Sequence, residues 1–453
     1  MKVFQHVSEF SAPRSAVAAM VNGPGGFLRF SPAGLIRVTE GNPDDVRAGS
    51  QFTVSAMPAP FLPFLASEQT FRVVRMDDTM QVMEQVKGPL RGYRHEMHLS
   101  DLPSGGTRLH SRLTYEQPRV FGDVTEALAR QFRFRDRQMR ADLAIHQALA
   151  GRTRKVLIAG ASGLIGTQLA ALLANAGQEV VRLVRSADDG YAVGASLRWD
   201  PASGSLPSGA LDGVDAVLNL SGESIGGRFT EKKKQAILQS RLDATGTLAA
   251  AVAAHPETAL IQASAIGIYG PRRPGELLTE ESPVGTGFLS DVVRQWEGAA
   301  QPAIDAGARV AFLRTGIVLS QAGGALAPQV PLFLAGVGGR LANKHAFTSW
   351  IGVDDVARVY AHAVGTEGVQ GAVNMVGPRP VTHQEFAEAL AKVLGRKAWL
   401  PVPPIGPKAL VGSEGHDQLI DTDQKVSSTK LERTGFRFGE PTVEEALAHT
   451  LMR

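Results

Sequence analysis

The chain contains no cysteine, which removes disulfides, thiolate metal sites and thiol nucleophiles together and fits a reducing compartment. No apolar run approaches the roughly 18 residues of a membrane span, because stretches such as GALAPQVPLFLAGVGG are cut by proline and glycine. The start, MKVFQHVSEFSAP, lacks the charged, then apolar, then small-residue order of a secretory signal. Neither sign of charge dominates: 47 Lys+Arg against 44 Asp+Glu leave a formal net charge of +3, far from the basic field of a nucleic-acid binder. The expectation is a cytoplasmic protein with a small-molecule substrate, no nucleic-acid partner and no membrane span. Oligomeric state is not legible.

At 453 residues, with 43% hydrophobic and 20% charged, the chain is long enough for two or three globular domains. Residues 1–150 read as one of them. QFTVSAM, QTFRVVRM, TMQVMEQV and YRHEMHLSDL alternate apolar and polar residues, and GTRLHSRLTYEQP follows a PSGG turn, which predicts an antiparallel sheet. In DVTEALARQFRFRDRQMRADLAIHQALA the residues Leu128, Phe132, Met139, Leu143 and His146 to Leu149 keep a helical period, with the arginines expected on the wet face. Such a unit is expected to fold independently. HEMH places His95 and His98 on opposite faces of a strand, which argues against a metal site. After the basic join GRTRK, the runs KVLIAG, EVVRLVR, DAVLNLS, ALIQASA and ARVAFLR alternate with helical stretches. They predict a parallel, doubly wound sheet buried on both faces.

The first βα turn of that region, VLIAGASGLIGTQLA, carries Gly160, Gly163 and Gly166. Gly160 permits the tight turn, Gly163 lets backbone approach a pyrophosphate, and Gly166 lets the helix pack on the strand; the helix N-terminus then faces the phosphates. The strand-loop-helix context makes this a dinucleotide site of Rossmann-like type, with Ser162, Leu164 and Ile165 in the same loop. The next strand, EVVRLV, ends at Arg185 rather than at the carboxylate that NAD-binding sheets place about twenty residues beyond the glycines. A guanidinium there suits a 2′-phosphate, so the expected cofactor is NADP, with Ser186 as a further donor. The competing reading makes Asp188 or Asp189 a ribose acceptor. NLSG ends another predicted strand, where Ser221 and Gly222 are small enough for ribose and nicotinamide to lie on backbone and Asn219 is a capping candidate.

Two resemblances follow. The element order of residues 1–150 resembles the START-like polyketide-cyclase (SRPBCC) superfamily, in which a curved sheet wraps the last helix around an apolar cavity; this implies an α+β helix-grip domain with an apolar ligand. From residue 154 the chain resembles the extended short-chain dehydrogenase/reductases, and more narrowly an epimerase-like subfamily with its own small C-terminal domain. The landmarks are WDP at 199–201, NLSGESI at 219–225, SRLDATGTL at 240–248, SAIGIYG at 264–270, FLSDVVRQWE at 288–297, RTGIVLS at 314–320 and SWIGVDDV at 349–356, completed by LPVPPIGPKALVGSEG, KLERTGFRF and PTVEEAL. The resemblance implies a Rossmann-type domain over 154–395 and a small C-terminal domain over 396–453. It places Leu220, Arg241 and Val318 beside the cofactor, and Trp350, Asp354 and Asp355 beside the substrate cleft, with Gly352 standing where a histidine is common.

Members of that group transfer hydride with a tyrosine activated by a lysine four residues later and a serine or threonine that orients substrate. Here Phe288 and Val292 occupy the Tyr and Lys positions, and Ala265 the Ser position, with Ser264 adjacent. Tyr269, Glu223 and Ser264 are the remaining catalytic candidates. Two functions are therefore expected: an NADP(H)-binding oxidoreductase or epimerase-like protein without the familiar triad, or a non-catalytic NADP(H)-dependent sensor.

Overall fold

Two seven-stranded sheets organise the chain in the computed structural model, which describes residues 1–57, 63–116, 123–186, 190–398 and 401–453. The first is made of β1 (Lys2–Phe10), β2 (Ile36–Gly41), β3 (Gln51–Ala56), β4 (Ser67–Met76), β5 (Met80–Lys87), β6 (Arg94–Asp101) and β7 (Thr107–Tyr115). Its order is β1-β7-β6-β5-β4-β3-β2, antiparallel throughout. Two helices, α1 (Arg14–Asn22) and α2 (Gly26–Arg29), bridge its first two strands, and α3 (Thr125–Leu149) lies across it. His95 is buried under α3 while His98 faces solvent, as strand alternation requires.

Helix α3 is apolar on two faces. Met139 and Leu143 pack on the sheet beside Phe10, Met97 and Leu109, whereas Ile145 and Leu149 join the core of the second sheet and Phe134 stacks on His449 with ring centroids 4.5 Å apart. The expected wet face of arginines is correspondingly incomplete. Arg133 bonds Glu126 at the surface, but Arg135 turns inward over the Phe132 ring at 4.5 Å.

The second sheet comprises β8 (Lys155–Ala159), β9 (Glu179–Val184), β10 (Ala195–Arg198), β11 (Ala216–Asn219), β12 (Ala259–Ala265), β13 (Val310–Thr315) and β14 (Gly371–Met375). All its pairings are parallel, in the order β10-β9-β8-β11-β12-β13-β14. Alternation sorts the side chains cleanly. Val156, Ile158, Leu218 and Ile261 point to one core with α4 (Leu164–Asn175), and Leu157, Ala159, Val217 and Leu260 to the other with α5 (Glu231–Ala253). The C-terminal helices His383–Val393 and Val443–Thr450 both begin with capping boxes, Thr382 with Glu385 and Thr442 with Glu445, and share a third core with Trp350 and Phe333. Among the described residues no helix is long and apolar enough to cross a membrane.

The join near residue 150 does not separate two independent packing units. Arg29 on α2 is fully buried and bonds Asp142 on α3 at 2.7 and 2.9 Å, Asp354 at 2.6 Å and Gln168 of α4 at 3.2 Å. Arg358 closes the network onto Asp142 at 2.8 Å and Asp355 at 2.8 Å. Backbones also meet: a Cβ at Gly25 would lie 2.6 Å from the Ala171 carbonyl oxygen of α4, and Asn175 donates to the Met20 carbonyl at 3.0 Å. The expectation of an independently folding N-terminal part is therefore revised, because a fragment ending there leaves Arg29 without Asp354 and Gln168 and Asp142 without Arg358. Asp354 and Asp355, at 5% and 1% exposure, belong to this network, and Trp350 is buried with its indole N–H on the Arg379 carbonyl at 3.0 Å. None of the three lines an open cleft, contrary to the reading from the resemblance.

Candidate functional site

Strand order reverses between β8 and β11: the chain leaves β8 for β9 on one side and later returns to β11 on the other. Open α/β sheets form a crevice at the carboxyl ends of the strands at such a point. Gly160 ends β8 in the left-handed region at φ 81°, and a Cβ there would lie 2.8 Å from the Leu220 carbonyl carbon and 2.9 Å from the Ser221 nitrogen. At Gly166 a Cβ would meet the Gly160 oxygen at 2.2 Å and the Ala161 Cα at 2.7 Å. Packing dictates both glycines. Gly163 differs, because a Cβ there would touch only the Gly160 oxygen at 3.3 Å. What the absent side chain leaves is bare backbone, exposed at the N-cap of α4, whose first turn has no side-chain cap. Bare amides at a helix N-terminus suit a pyrophosphate.

The other wall is the turn after β11, held by a buried polar network. Asn219 Oδ1 accepts from the Ser221 nitrogen at 3.1 Å and from Ser221 Oγ at 2.5 Å, while its amide donates to Gln262 at 2.9 Å and Thr245 at 3.2 Å. The Trp296 indole donates to Thr245 at 3.0 Å, and Arg241 lies over that indole at 4.8 Å. Arg241 Nη1 donates to the carbonyls of Glu223 and Ile237, each at 2.9 Å. Burial draws this guanidinium down to about 10, against the pull of Glu223. Arg241 thus shapes the turn that Leu220, Ser221 and Gly222 form. Sequence reading missed Gln262 and Thr245, although a glutamine inside the apolar strand ALIQASA is itself a signal of a buried partner.

Arg185 is exposed at the end of β9, next to β8, and Ser186 beside it is exposed too; Asp188 and Asp189 lie outside the described residues. Ser162 and Gly163 are exposed, Leu164 and Ile165 half-buried. Val318 sits on strand Ile317–Ser320, which runs into Gly323–Gly324; a Cβ at Gly323 would be 4.0 Å from Leu164, so this hairpin borders the glycine loop. The cofactor candidates are thereby gathered along one edge of the sheet.

The catalytic candidates are not. Tyr269 has no exposed surface, donates to Asn374 Oδ1 at 2.7 Å and accepts from Arg314 at 3.0 Å. Burial raises its pKa, with Arg314 pulling the other way, the reverse of an activated phenol. Ser264, 3% exposed, donates to Glu297 at 2.5 Å, and Glu297 is clamped by Arg314 at 2.9 Å through both oxygens. Glu223 is exposed, and its bond from Lys233 at 2.6 Å keeps it ionised below the usual carboxylate range. Phe288 and Val292, where Tyr and Lys were sought, pack with Phe229 and Ile237. Tyr269 and Ser264 are committed to buried partners and reach no reactant in this arrangement, so their catalytic reading is withdrawn, whereas Glu223 stays at the surface with Lys233 as its partner. Tyr269→Phe is expected to lower unfolding free energy by about 1–3 kcal/mol, since it leaves Arg314 and Asn374 short of a partner, while NADPH affinity stays within about twofold. Urea denaturation alongside cofactor titration checks both.

The NAD dependent epimerase/dehydratase family matches residues 156–288, and a domain of unknown function, DUF1731, matches 402–450. An epimerase family protein of Mycobacterium bovis is 40% identical over 299 residues, covering 66% of this chain and 98% of that protein. The chain belongs to the epimerase family. The human family member SDR39U1 is 33% identical over 299 residues, covering 65% of this chain and 98% of that one. Among solved structures, human SDR39U1 (isoform 2) with NADPH superposes with a TM-score of 0.58 at 33% identity, over 65% of this chain and 97% of that chain. A nucleoside-diphosphate sugar epimerase from Corynebacterium glutamicum superposes over 99% of this chain and 90% of its own, with a TM-score of 0.80 at 28% identity. That epimerase superposition takes in both sheets of this family member.

Proposed function

We propose that the chain binds NADP(H) across the switch point, with the pyrophosphate on Ser162–Ile165 and the α4 N-terminus, the 2′-phosphate on Arg185, and the ribose and nicotinamide side against Leu220–Gly222 and Val318, backed by Arg241. The carrying observation is the glycine loop, where packing demands Gly160 and Gly166 but leaves Gly163 open to a ligand. That human SDR39U1 is described with NADPH supports the choice of cofactor. The test is titration of the purified chain with both cofactors. Arg185→Ala removes charge-assisted hydrogen bonds worth about 1.5–3 kcal/mol, so NADPH should weaken roughly 10- to 100-fold while NADH changes less than about twofold. Tighter NADH than NADPH binding by the unmodified chain overturns the assignment.

Two uses of that site are open to experiment. An oxidoreductase or epimerase-like activity without the familiar triad follows from family membership; a nucleotide-responsive binding role is favoured by the burial of Tyr269 and Ser264 and the surface pairing of Glu223. NADPH oxidation across a panel of carbonyl compounds, with chromatographic detection of interconversion across a panel of sugar nucleotides, separates them, and no turnover in either assay selects the second. We read residues 1–150 as a START-like helix-grip unit holding an apolar small molecule, followed by the cofactor domain at 154–395 and a small domain at 396–453. The antiparallel sheet lying under one long helix supports this division.

A further inference from the structure

Between the first sheet and α3 lies a polar patch whose groups are not all satisfied among the described residues. Gln81, Met97, Ser111 and His6 stand side by side across β5, β6, β7 and β1, and Met83, His95, Leu113 and Phe4 form an adjacent row on the same face. The face is inward: the His6 and His95 rings each lie 5.5 Å from Phe132 of α3. Arg135 reaches down onto these rows, donating to Ser111 Oγ at 2.8 Å and to the Met97 sulfur at 3.3 Å. Among the described residues, three buried polar atoms on the patch have no partner, namely Arg135 Nε, His95 Nε2 and Gln81 Oε1. Gln81 and His95 are only 7% and 6% exposed.

The guanidinium meets a thioether and a hydroxyl where a buried cation ordinarily meets a carboxylate. Its neighbour Asp136 is already engaged, by His6 at 2.6 Å and Ser8 at 2.5 Å. Burial draws Arg135 down to about 10, with Asp136 and Tyr93 pulling back, which leaves it cationic at neutral pH. Burial, with Arg135, draws His95 down to about 3, so its ring is neutral. Yet Phe71, Met83, Tyr93 and Arg135 remain only half-buried, and burial pushes the Tyr93 hydroxyl up to about 12. Phe71 and Tyr93, with ring centroids 5.8 Å apart, place an aromatic pair beside the patch.

We propose that the interior of residues 1–150 binds a small carboxylate with an apolar body, the carboxylate on Arg135 beside His95 and the body along Phe71, Met83 and Tyr93. The proposal rests on the reading of this unit as a site for an apolar molecule, and adds the charge. Decanoate and decanol, the same chain with and without the anion, are the probes, titrated calorimetrically into the full-length protein. The unmodified protein should prefer decanoate by at least about tenfold, the value of one charge-assisted hydrogen bond. Arg135→Met, similar in length and uncharged, should bind decanol as before, lose the preference, and melt at the same or a higher temperature without ligand. NADPH titration of the variant, expected unchanged, verifies that it is folded. Equal affinity for both probes in the unmodified protein overturns the anion assignment while leaving the apolar site standing, whereas binding of neither removes the apolar site and this inference with it. A preference retained in Arg135→Met, or a melting temperature lowered by several degrees, also overturns it, by making Arg135 a structural residue.

Discussion

Gly166→Ala should abolish measurable NADPH binding and destabilise the chain by about 2–3 kcal/mol. The added methyl would sit 2.2 Å from the Gly160 oxygen and 2.7 Å from the Ala161 Cα; both are backbone atoms where β8 turns into α4, so no side-chain rotation relieves the clash. Relief requires α4 to move off the sheet, which costs the overpacking penalty and displaces the helix N-terminus that faces the phosphates. Gly163→Ala is the contrast. Its methyl meets only one backbone oxygen at 3.3 Å, so stability should change by less than about 0.5 kcal/mol while NADPH weakens at least tenfold, because the lost approach is the ligand's. Calorimetric titration with urea unfolding on both variants decides the matter. Unmodified NADPH affinity in Gly166→Ala would refute the placement of the pyrophosphate.

Asp142→Ala should cost about 3–5 kcal/mol, the range for removing one partner from a buried ion pair. Asp142 has no exposed side-chain surface and sits between Arg29 at 2.7 Å and Arg358 at 2.8 Å, so its removal leaves two buried guanidiniums facing each other. Burial pushes the Asp142 carboxyl up, but the two arginines outweigh it and hold it below the usual carboxylate range; Asp354 is lowered likewise, by Arg29, His449 and Arg358 against burial. A carboxylate whose folded pKa lies below its unfolded value adds stability that is present above the unfolded value, about 4, and lost as pH falls through the folded one. Thermal melts of the unmodified chain should therefore drop steeply below about pH 4, and Asp142→Asn should flatten that fall. A variant that melts within a degree of the unmodified protein at pH 7 would show that the network contributes nothing net.

Much of the fold was legible because it is written in local periods. KVLIA, AVLN and ALIQASA read as doubly buried strands since their alternating side chains enter two cores, and the glycine loop was legible because a tight turn and a close helix contact admit only the smallest residue. The cofactor candidates were found together for the same reason: strand ends of one parallel sheet converge by construction. Arg135 was misread as solvated because a helical period assigns one wet face, whereas α3 is buried on two. Tyr269 and Ser264 looked available because the sequence shows a hydroxyl and conceals its partner. The partners, Asn374 for Tyr269 and Glu297 for Ser264, lie 105 and 33 residues away.

What the sequence determined by itself is the set of elements, the parallel sheet and the glycine turn at the end of its first strand, all of which depend on neighbours within a few turns of chain. The tertiary structure alone decided which polar groups are committed and which are left over. Arg29 meets Asp354 across 325 residues, and no period or motif spans that distance. Whether a buried charge finds its partners, as Asp142 does between Arg29 and Arg358, is set by burial and electrostatics acting between segments that only folding brings into contact.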